Sequence, residues 1–368
     1  MIHEAKKQIN RLMEIWNTPA WPRFRHDPAA TEAPLARVMA RLGAIDGLHA
    51  GLAPEERAEI FLRAVTGEAL ASFAIEGAPL SSGEIEASVV ASLAHRQALP
   101  QRRSDAIAEL MLEARAGEPP LTAAILHHWH DLLFHGIEVE DRGQWRSLAM
   151  EIVRGPSGRR EDVLYSAPPA DRVAEEMDRF LDWLEADRHP LPLRAALAHL
   201  WFESIHPFSD GNGRIGRAIM EHVFAREGAL PFSLSRQIDS DKRGYYAALQ
   251  SGRQVSGDVI DATPFVVWLL ERLDAGVTEA EREARFLVRR NAFLTAHGDL
   301  PERALAVLRR LFLEGEERVG LGLSAGPYGK MARISPATAT RDLADLERRG
   351  VVTRAPEGGR STRYLLNW

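Results

Sequence analysis

The sequence predicts a mainly α protein whose strands are few and short. Leu193, Leu197 and Leu200 recur at helical spacing, as do Phe61, Val65, Leu70 and Phe73, and again Ala339, Leu343 and Leu346. The stretches with strand character, Leu148–Val153, Val163–Ser166, Val351–Arg354 and Thr362–Leu366, are all brief and bounded by Gly, Pro or Ser.

The elements follow in chain order. Ile9, Met13 and Trp16 suggest a first helix, and Trp21-Pro-Arg-Phe-Arg-His-Asp27 an aromatic element whose tryptophans read as core. Leu35, Val38, Leu42 and Ile45 mark another helix. A long amphipathic helix runs from Pro54, suited to a first turn, to Glu76, with Gly77 as its stop. The loop chemistry of Gly155-Pro-Ser-Gly-Arg-Arg160 joins two strand runs into a hairpin. A helix then leads to His206 and is closed by Pro207, which lacks a backbone donor. Arg217 to Phe224 is helical again, with Ala218, Ile219 and Val223 facing inward, and Gln250–Asp258 reads as a loop. Helices follow at Pro301–Leu313, Tyr328–Ile334 and Ala337–Arg349, the last N-capped at Ser335-Pro336 and stopped by Gly350. Two strands then flank Glu357-Gly-Gly359.

With 368 residues and 45% hydrophobic content, the chain can bury a large core and predicts two or three domains. Its lack of cysteine excludes disulfides, thiolate metal sites and cysteine nucleophiles. The N-terminus has no apolar signal region, and the apolar run Pro264–Leu270 is too short to span a bilayer, so a cytoplasmic protein without membrane contact is expected. A net charge of −6 disfavours wholesale coating of nucleic acid. Residues 329–368, however, hold eight Lys/Arg against four Asp/Glu, a local excess of +4.

The chemistry concentrates in His206-Pro-Phe-Ser-Asp-Gly-Asn-Gly-Arg-Ile-Gly-Arg217. Asp210-Gly-Asn-Gly213 precedes a helix, where glycines let backbone N–H groups converge and the helix dipole favours an anion. Arg214 and Arg217 are three apart on one face and can fork onto phosphate oxygens. Asp210 is a hard oxygen ligand for Mg²⁺, with Mn²⁺ as the substitute. His206 can accept a proton from a hydroxyl near neutral pH. Singly, each feature has an ordinary structural explanation; together, in this order, they describe a nucleotide site.

This run resembles the signature of the Fic family, His-x-Phe-x-(Asp/Glu)-Gly-Asn-Gly-Arg-x₂-Arg, at every specified position. The resemblance implies transfer of AMP from ATP to a Ser, Thr or Tyr hydroxyl of a target protein. It makes His206 the base and Asp210 the metal ligand, with Gly211, Asn212, Gly213, Arg214 and Arg217 as the phosphate cradle and Phe208 as the loop's anchor. Ser72-Phe-Ala-Ile-Glu76-Gly77 similarly resembles the family's inhibitory motif, (Ser/Thr)-x₃-Glu-(Gly/Asn), in which the glutamate pairs with the second signature arginine, here Arg217. One arginine cannot serve a carboxylate and a phosphate at once. The hairpin resembles the family's flap, whose edge would pair with the target backbone. Tyr245 and Tyr246 lie where relatives build the adenine pocket.

The C-terminal order of helix, turn, helix and two-strand wing resembles a winged helix-turn-helix. DNA contacts are expected at Thr338, Thr340, Arg341 and Arg348 on its second helix and at Arg360 and Arg363 on its wing. The resemblance implies an N-terminal helical domain over 1–50 and a Fic-type helical core with a small hairpin flap over 51–295. Within that core lie the inhibitory helix (about 54–77), the flap (about 146–167) and the signature (206–217), and the winged helix follows over 300–368. The expectation is thus an autoinhibited, Mg²⁺-dependent protein AMP transferase. Three readings compete with it: an AMP-removing or bifunctional enzyme, a DNA-binding regulator whose Fic site senses nucleotide, and an interaction scaffold. Homodimer formation is left open.

Overall fold

A computed structural model describes residues 14–94, 99–153, 163–356 and 362–368. The expected helical positions Ile9 and Met13, the flap tip at 154–162 and the wing residue Arg360 lie outside these. The chain divides into two compact units, one of residues 1–46 and 54–280, the other of 47–53 and 281–368.

In the first unit, the N-terminal segment shares one core with the signature helices, whereas the sequence reading sets residues 1–50 apart. Ile15, Trp21, Phe24, Val38 and Ile45 are buried in that common core. Helices α1 (Pro28–Ala50), α2 (Pro54–Ile75), α3 (Ser82–Ala94), α4 (Arg103–Ala114) and α5 (Ala123–Leu133) come first. A hairpin follows, then α6 (Val173–Ala186), α7 (Leu191–Ile205), α8 (Asn212–Ala225), α9 (Leu234–Asp239) and α10 (Lys242–Ser251). Helix α11 (Thr263–Ala296) continues into the second unit.

Helices α7 and α8 form the centre. Nearly every residue of both is buried, including Arg194, His199, Glu203, Arg214, Arg217 and Glu221. Helices enclosed on all sides normally carry apolar residues throughout, so this set of charges needs a local explanation.

Three small sheets among the described residues complete the fold. Strands β1 (Phe24–Arg25), β5 (Val259–Asp261) and β4 (Gln254–Ser256) form one, with β1 parallel to β5. The expected loop Gln250–Asp258 therefore contains a strand and its turn at Gly257, which has φ 63°. Strands of three residues show too little alternation to be read locally, and β1 pairs with residues 235 or more positions away. Strands β2 (Glu151–Val153) and β3 (Val163–Ser166) form the flap hairpin, pairing Glu151 with Ser166 and Ile152 with Tyr165. The Trp16 indole donates to Ser166 O at 2.9 Å, and Trp21 donates to buried Glu176 at 2.8 Å. The N-terminal tryptophans thus tie the flap base to the core.

The second unit contains α12 (Glu302–Leu313), α13 (Glu316–Gly320), α14 (Ala325–Ala332) and α15 (Pro336–Arg348). Ser335 caps α15 by accepting from Thr338 N–H at 3.2 Å. Strands β6 (Leu323–Ser324), β8 (Arg363–Leu366) and β7 (Val352–Arg354) form an antiparallel sheet. The two-residue β6 is not legible in the sequence.

Candidate active site

Helix α7 ends at His206, whose φ of 52° and ψ of 59° place it in the left-handed region while its N–H still bonds Phe202 O at 2.9 Å. A non-glycine residue there is uncommon and must be held by its surroundings. Arg146 supplies the hold. Buried beneath the flap, it donates from Nε to His206 O (2.8 Å), from Nη1 to Leu148 O (2.7 Å) and from Nη2 to Pro168 O (2.5 Å). Its own N–H bonds Pro207 O at 2.9 Å. One guanidinium therefore caps α7, fixes the turn and anchors the chain just before β2 and just after β3.

The turn after Pro207 is fastened from within. Asn212 Oδ1 accepts from Phe208 N–H (2.9 Å) while its Nδ2 donates to Phe208 O (2.8 Å), closing the loop across its own neck. The buried Asn212 side chain commits Oδ1 and one Nδ2 hydrogen to this clasp, and its backbone N–H belongs to the first turn of α8. Phe208 is wholly buried and stacks on His130 with centroids 4.2 Å apart, the packing role expected of it. His130 Nδ1 accepts from Gly143 N–H at 2.9 Å, which leaves Nε2 to carry the proton toward Asp210 O at 3.2 Å. Burial lowers the His130 pKa to about 4 and keeps that ring neutral.

Gly211 caps α8 with φ 81°, and a Cβ on it would lie 2.6 Å from Leu133 Cδ2 and 2.9 Å from Phe134 Cε2. Gly211→Ala is therefore expected to cost about 1–3 kcal/mol of stability, combining backbone strain and overpacking, measured by denaturant unfolding. The N–H groups of Asn212, Gly213 and Arg214 have no carbonyl one turn back within α8, and the positive end of its dipole lies there. Among residues 211–224 only Gly213 retains appreciable exposure, so the helix opens outward at this one glycine.

A carboxylate already occupies that opening. Arg217, 1% exposed, donates from Nε to Ser72 Oγ (2.9 Å) and from Nη2 to both Ser72 O and Glu76 Oε1 (2.8 Å each). A Cβ on Gly213 would be 2.4 Å from Glu76 Oε1 and 3.1 Å from Arg217 Nη1. Glu76 thus lies against the α8 N-terminus as well as against the arginine. Arg217 Nη1 is buried and makes no hydrogen bond among the described residues. Burial opposes its charge, but Tyr245 and Glu76 outweigh this and raise its pKa.

The geometry of α2 presents Glu76 in this way. Ser72 and Glu76 are one turn apart, and Glu76 follows the last helical residue, Ile75. Gly77 has φ 74°; its N–H bonds Ala74 O at 3.0 Å and Ala78 N–H bonds Phe73 O at 3.0 Å. These are the paired bonds of a Schellman stop, and they fix where the helix ends. Two turns upstream, buried Glu68 accepts from Ser233 Oγ (2.8 Å), Ser235 N–H (2.9 Å) and Ser235 Oγ. Nearby, buried Arg115 pairs with Glu221 at 2.8 Å and donates to Leu230 O and Phe232 O. Burial pushes the Glu221 carboxyl up to about 8 despite Arg115, so removing the arginine leaves a buried carboxyl and two carbonyls without their partner rather than a bare charge. Arg115→Met is therefore expected to lose about 1–3 kcal/mol of stability in denaturant unfolding.

Arg214 is buried over the Phe73 and Phe134 rings, at 5.2 and 5.0 Å, and pairs with Asp210 Oδ1 at 3.1 Å. Asp210 is 61% exposed on its side chain; Oδ1 also accepts from Gly211 N–H at 2.5 Å, while no described group bonds Oδ2. A hard oxygen turned toward solvent beside an anion site suits Mg²⁺ shared with phosphates. The one close group of three metal-capable side chains among the described residues, Glu109, Glu113 and His128, does not include Asp210.

The two tyrosines part company. Tyr245 is 1% exposed and its hydroxyl lies 2.7 Å from His199 Nε2, so it is a core residue. This corrects its assignment to an adenine pocket. The two rings nevertheless touch, with centroids 5.1 Å apart, so Tyr245 packs beneath its exposed neighbour. Tyr246 is 45% exposed and stays available, with burial raising its pKa to about 12. In the second unit, Thr340, Arg341, Arg348 and Arg363 are exposed and Thr338 is half-buried. Arg348 is paired with Asp345 at 2.7 Å, and Thr340 Oγ1 donates to Pro336 O at 2.9 Å.

Comparison with known proteins agrees with this geometry. Residues 120–224 match the Fic/DOC family, and residues 15–94 match a domain of unknown function, DUF4172. Protein adenylyltransferase Fic of Drosophila willistoni is 31% identical over 179 residues, 47% of this chain and 32% of that protein. Its namesake in Nematostella vectensis is 36% identical over 110 residues, 28% of this chain and 24% of that one. A uridine 5'-monophosphate transferase of Xanthomonas campestris is 33% identical over 97 residues, 24% of this chain and 17% of that one. The chain therefore spans about a third or less of these relatives' length. A Fic family protein from Desulfovibrio desulfuricans superposes with a TM-score of 0.52 at 24% identity, covering 91% of this chain and 96% of that one. That likeness extends to the fold.

Proposed function

The chain carries a Fic/DOC domain at residues 120–224, and from this premise we propose an autoinhibited protein AMP transferase that uses ATP and modifies a Ser, Thr or Tyr hydroxyl. The observation that carries the reading is the Glu76–Arg217 pair against the α8 N-terminus: a cationic phosphate site filled by the protein's own carboxylate. The adenylyltransferase relatives favour AMP as the transferred group, while the uridine 5'-monophosphate transferase makes the base an experimental question.

With Glu76 displaced, Arg217 and the α8 N–H groups would receive the β- and γ-phosphates, and Arg214 would neutralise the chain from the Asp210 side. Asp210 is the residue that would hold Mg²⁺, which supplies charge neutralisation on the phosphates. His206 would take the proton from the target hydroxyl. That oxygen bonds to the α-phosphorus as the bond to the bridging oxygen breaks and pyrophosphate leaves. The protein's contribution is position and preset charge. The outer edge of β2 has no strand partner among the described residues and offers the target backbone a strand to join, whereas β3 gives its Leu164 and Ser166 carbonyls to Gln250 and Trp16. Incubating the Glu76→Gly protein with ATP labelled at either the α- or the γ-phosphate tests this. Label should enter protein from the α position alone; entry from the γ position would mean a kinase-like transfer instead.

A DNA-binding role for the second unit is a separate proposal, favoured by exposed Thr340, Arg341 and Arg363 and the local positive excess. Binding to duplex DNA that weakens with salt in the parent and is lost in Arg341→Ala/Arg363→Ala would support it. Equal binding by both proteins would remove it. No helix among the described residues is long and apolar enough to cross a membrane.

A further inference from the structure

We infer that Glu203 is the positioning residue of the base: its buried carboxylate holds the His206 imidazole by Nδ1 and steadies the positive charge that ring acquires when Nε2 takes the hydroxyl proton. The inference rests on the reading of His206 as the proton acceptor.

Glu203 and His206 are three apart at the end of α7, the last turn bringing their side chains together. Glu203 Oε2 lies 3.7 Å from His206 Nδ1. Both groups are otherwise short of partners. Glu203 Oε1 and His206 Nδ1 are buried, and neither makes a hydrogen bond among the described residues. A carboxylate enclosed in a helix core without a bonded partner is costly unless an opposite charge is supplied at some stage. The neighbours supply charge at a distance only. Arg253 donates to Glu203 O (2.8 Å) and Ser204 Oγ (3.1 Å), contacts with backbone and hydroxyl rather than with the carboxylate. Arg217 is committed to Ser72 and Glu76, and His199 bonds Tyr245. Arg146 holds only the His206 carbonyl. Burial opposes ionisation of Glu203, but His206, His199 and Arg253 outweigh it and hold the carboxyl at about 2. With burial keeping His199 neutral, the anion is favoured most when His206 carries its proton, the state in which the pair is needed.

At 3.7 Å the contact is an ion-pair approach, longer than a hydrogen bond. Such contacts tighten when charge appears, and a proton arriving on Nε2 makes Nδ1–H a charged donor facing Oε2. The carboxylate also selects the tautomer: with Nδ1–H turned toward Glu203, Nε2 is left unprotonated for the incoming hydroxyl. This is the same division of labour as in a carboxylate–histidine pair of a hydrolase, reached here within one helical turn. Gly216 of α8 gives the pair its room, since a Cβ there would lie 3.3 Å from Glu203 Oε1 and 3.0 Å from the His199 ring.

The test uses the full chain carrying Glu76→Gly, with and without Glu203→Gln, and isotope-labelled histidine. His206 signals are identified by their loss in His206→Ala. The amide keeps shape but not charge, so the His206 ring should titrate about one pH unit lower in Glu203→Gln, the size of one nearby charge in a partly solvated site. Turnover should fall about 10²-fold or more with the KM for ATP unchanged, and Glu203→Asp should restore part of it. An unmoved His206 titration overturns the inference, whatever the activity. Where Glu203→Gln folds poorly, the parent serves: carbon-13 signals of the Glu203 carboxyl should respond as His206 titrates, and a carboxyl indifferent to that titration overturns it equally. The ring titration is read without turnover, so the failure of AMP transfer itself would be recognised separately.

Discussion

Replacing Glu76 by glycine should raise nucleotide transfer to protein by about 10²–10³-fold, the usual worth of one preset donor aimed at transition-state charge. In the parent, Arg217 Nη2 is spent on Glu76 and Ser72, and the Glu76 carboxylate also covers Gly213. A triphosphate must either displace that carboxylate or settle with its α-phosphorus out of line. Glycine removes the competitor while leaving Ser72, and the substitution falls just beyond the last helical residue of α2, where it does little harm to the helix. Glu76 is 29% exposed on its side chain, and when it is lost the buried Arg217 keeps Ser72 Oγ and Ser72 O as partners. The measurement is the rate of α-label incorporation in parent and variant at matched ATP; equal rates would mean that the pair is structural.

The second large effect is expected at His206. In the Glu76→Gly background, His206→Ala should lower transfer by about 10²–10⁴-fold, the range for a positioned general base, while ATP binding stays intact. The split is expected because the phosphate site is built from α8 and α2, whereas His206 belongs to the end of α7. Single-turnover rates and equilibrium binding of ATP measured side by side will separate the two. Loss of binding together with rate would instead make His206 part of the nucleotide site. The left-handed turn survives the substitution through Arg146, which grips the backbone carbonyl rather than the ring.

The signature was legible because its chemistry is local: carboxylate, glycines and arginines fall on one turn and the helix after it. Glu76 was legible through its motif and the glycine that ends α2. What escaped has one physical character, contact between residues distant in sequence. Nothing in the sequence around Arg146 announces that it ties His206, Leu148 and Pro168 together. Nothing around Arg115 foretells its partners Glu221, Leu230 and Phe232. The β1–β5 pairing joins segments from opposite ends of the first unit, and neither is long enough to announce a strand. Asn212 and Tyr245 show the reverse limit: residue type suggested ligand contact, while a side chain's actual direction made one a loop clasp and the other a core ring. Glu203 could have been suspected from its place one turn before the base, since a charged residue among Leu, Trp, Phe and Ile needs a reason.

On the proposed function Glu76 restrains transfer by holding Arg217, and a double-mutant cycle reads that coupling directly. Transfer of α-label would be measured in the parent, Glu76→Gly, Arg217→Ala and the double variant. If the restraint runs through the arginine, Glu76→Gly should raise the rate in the parent and leave it nearly unchanged once Arg217 is gone. A Glu76→Gly gain of the same size in the Arg217→Ala protein would mean that the restraint does not run through Arg217.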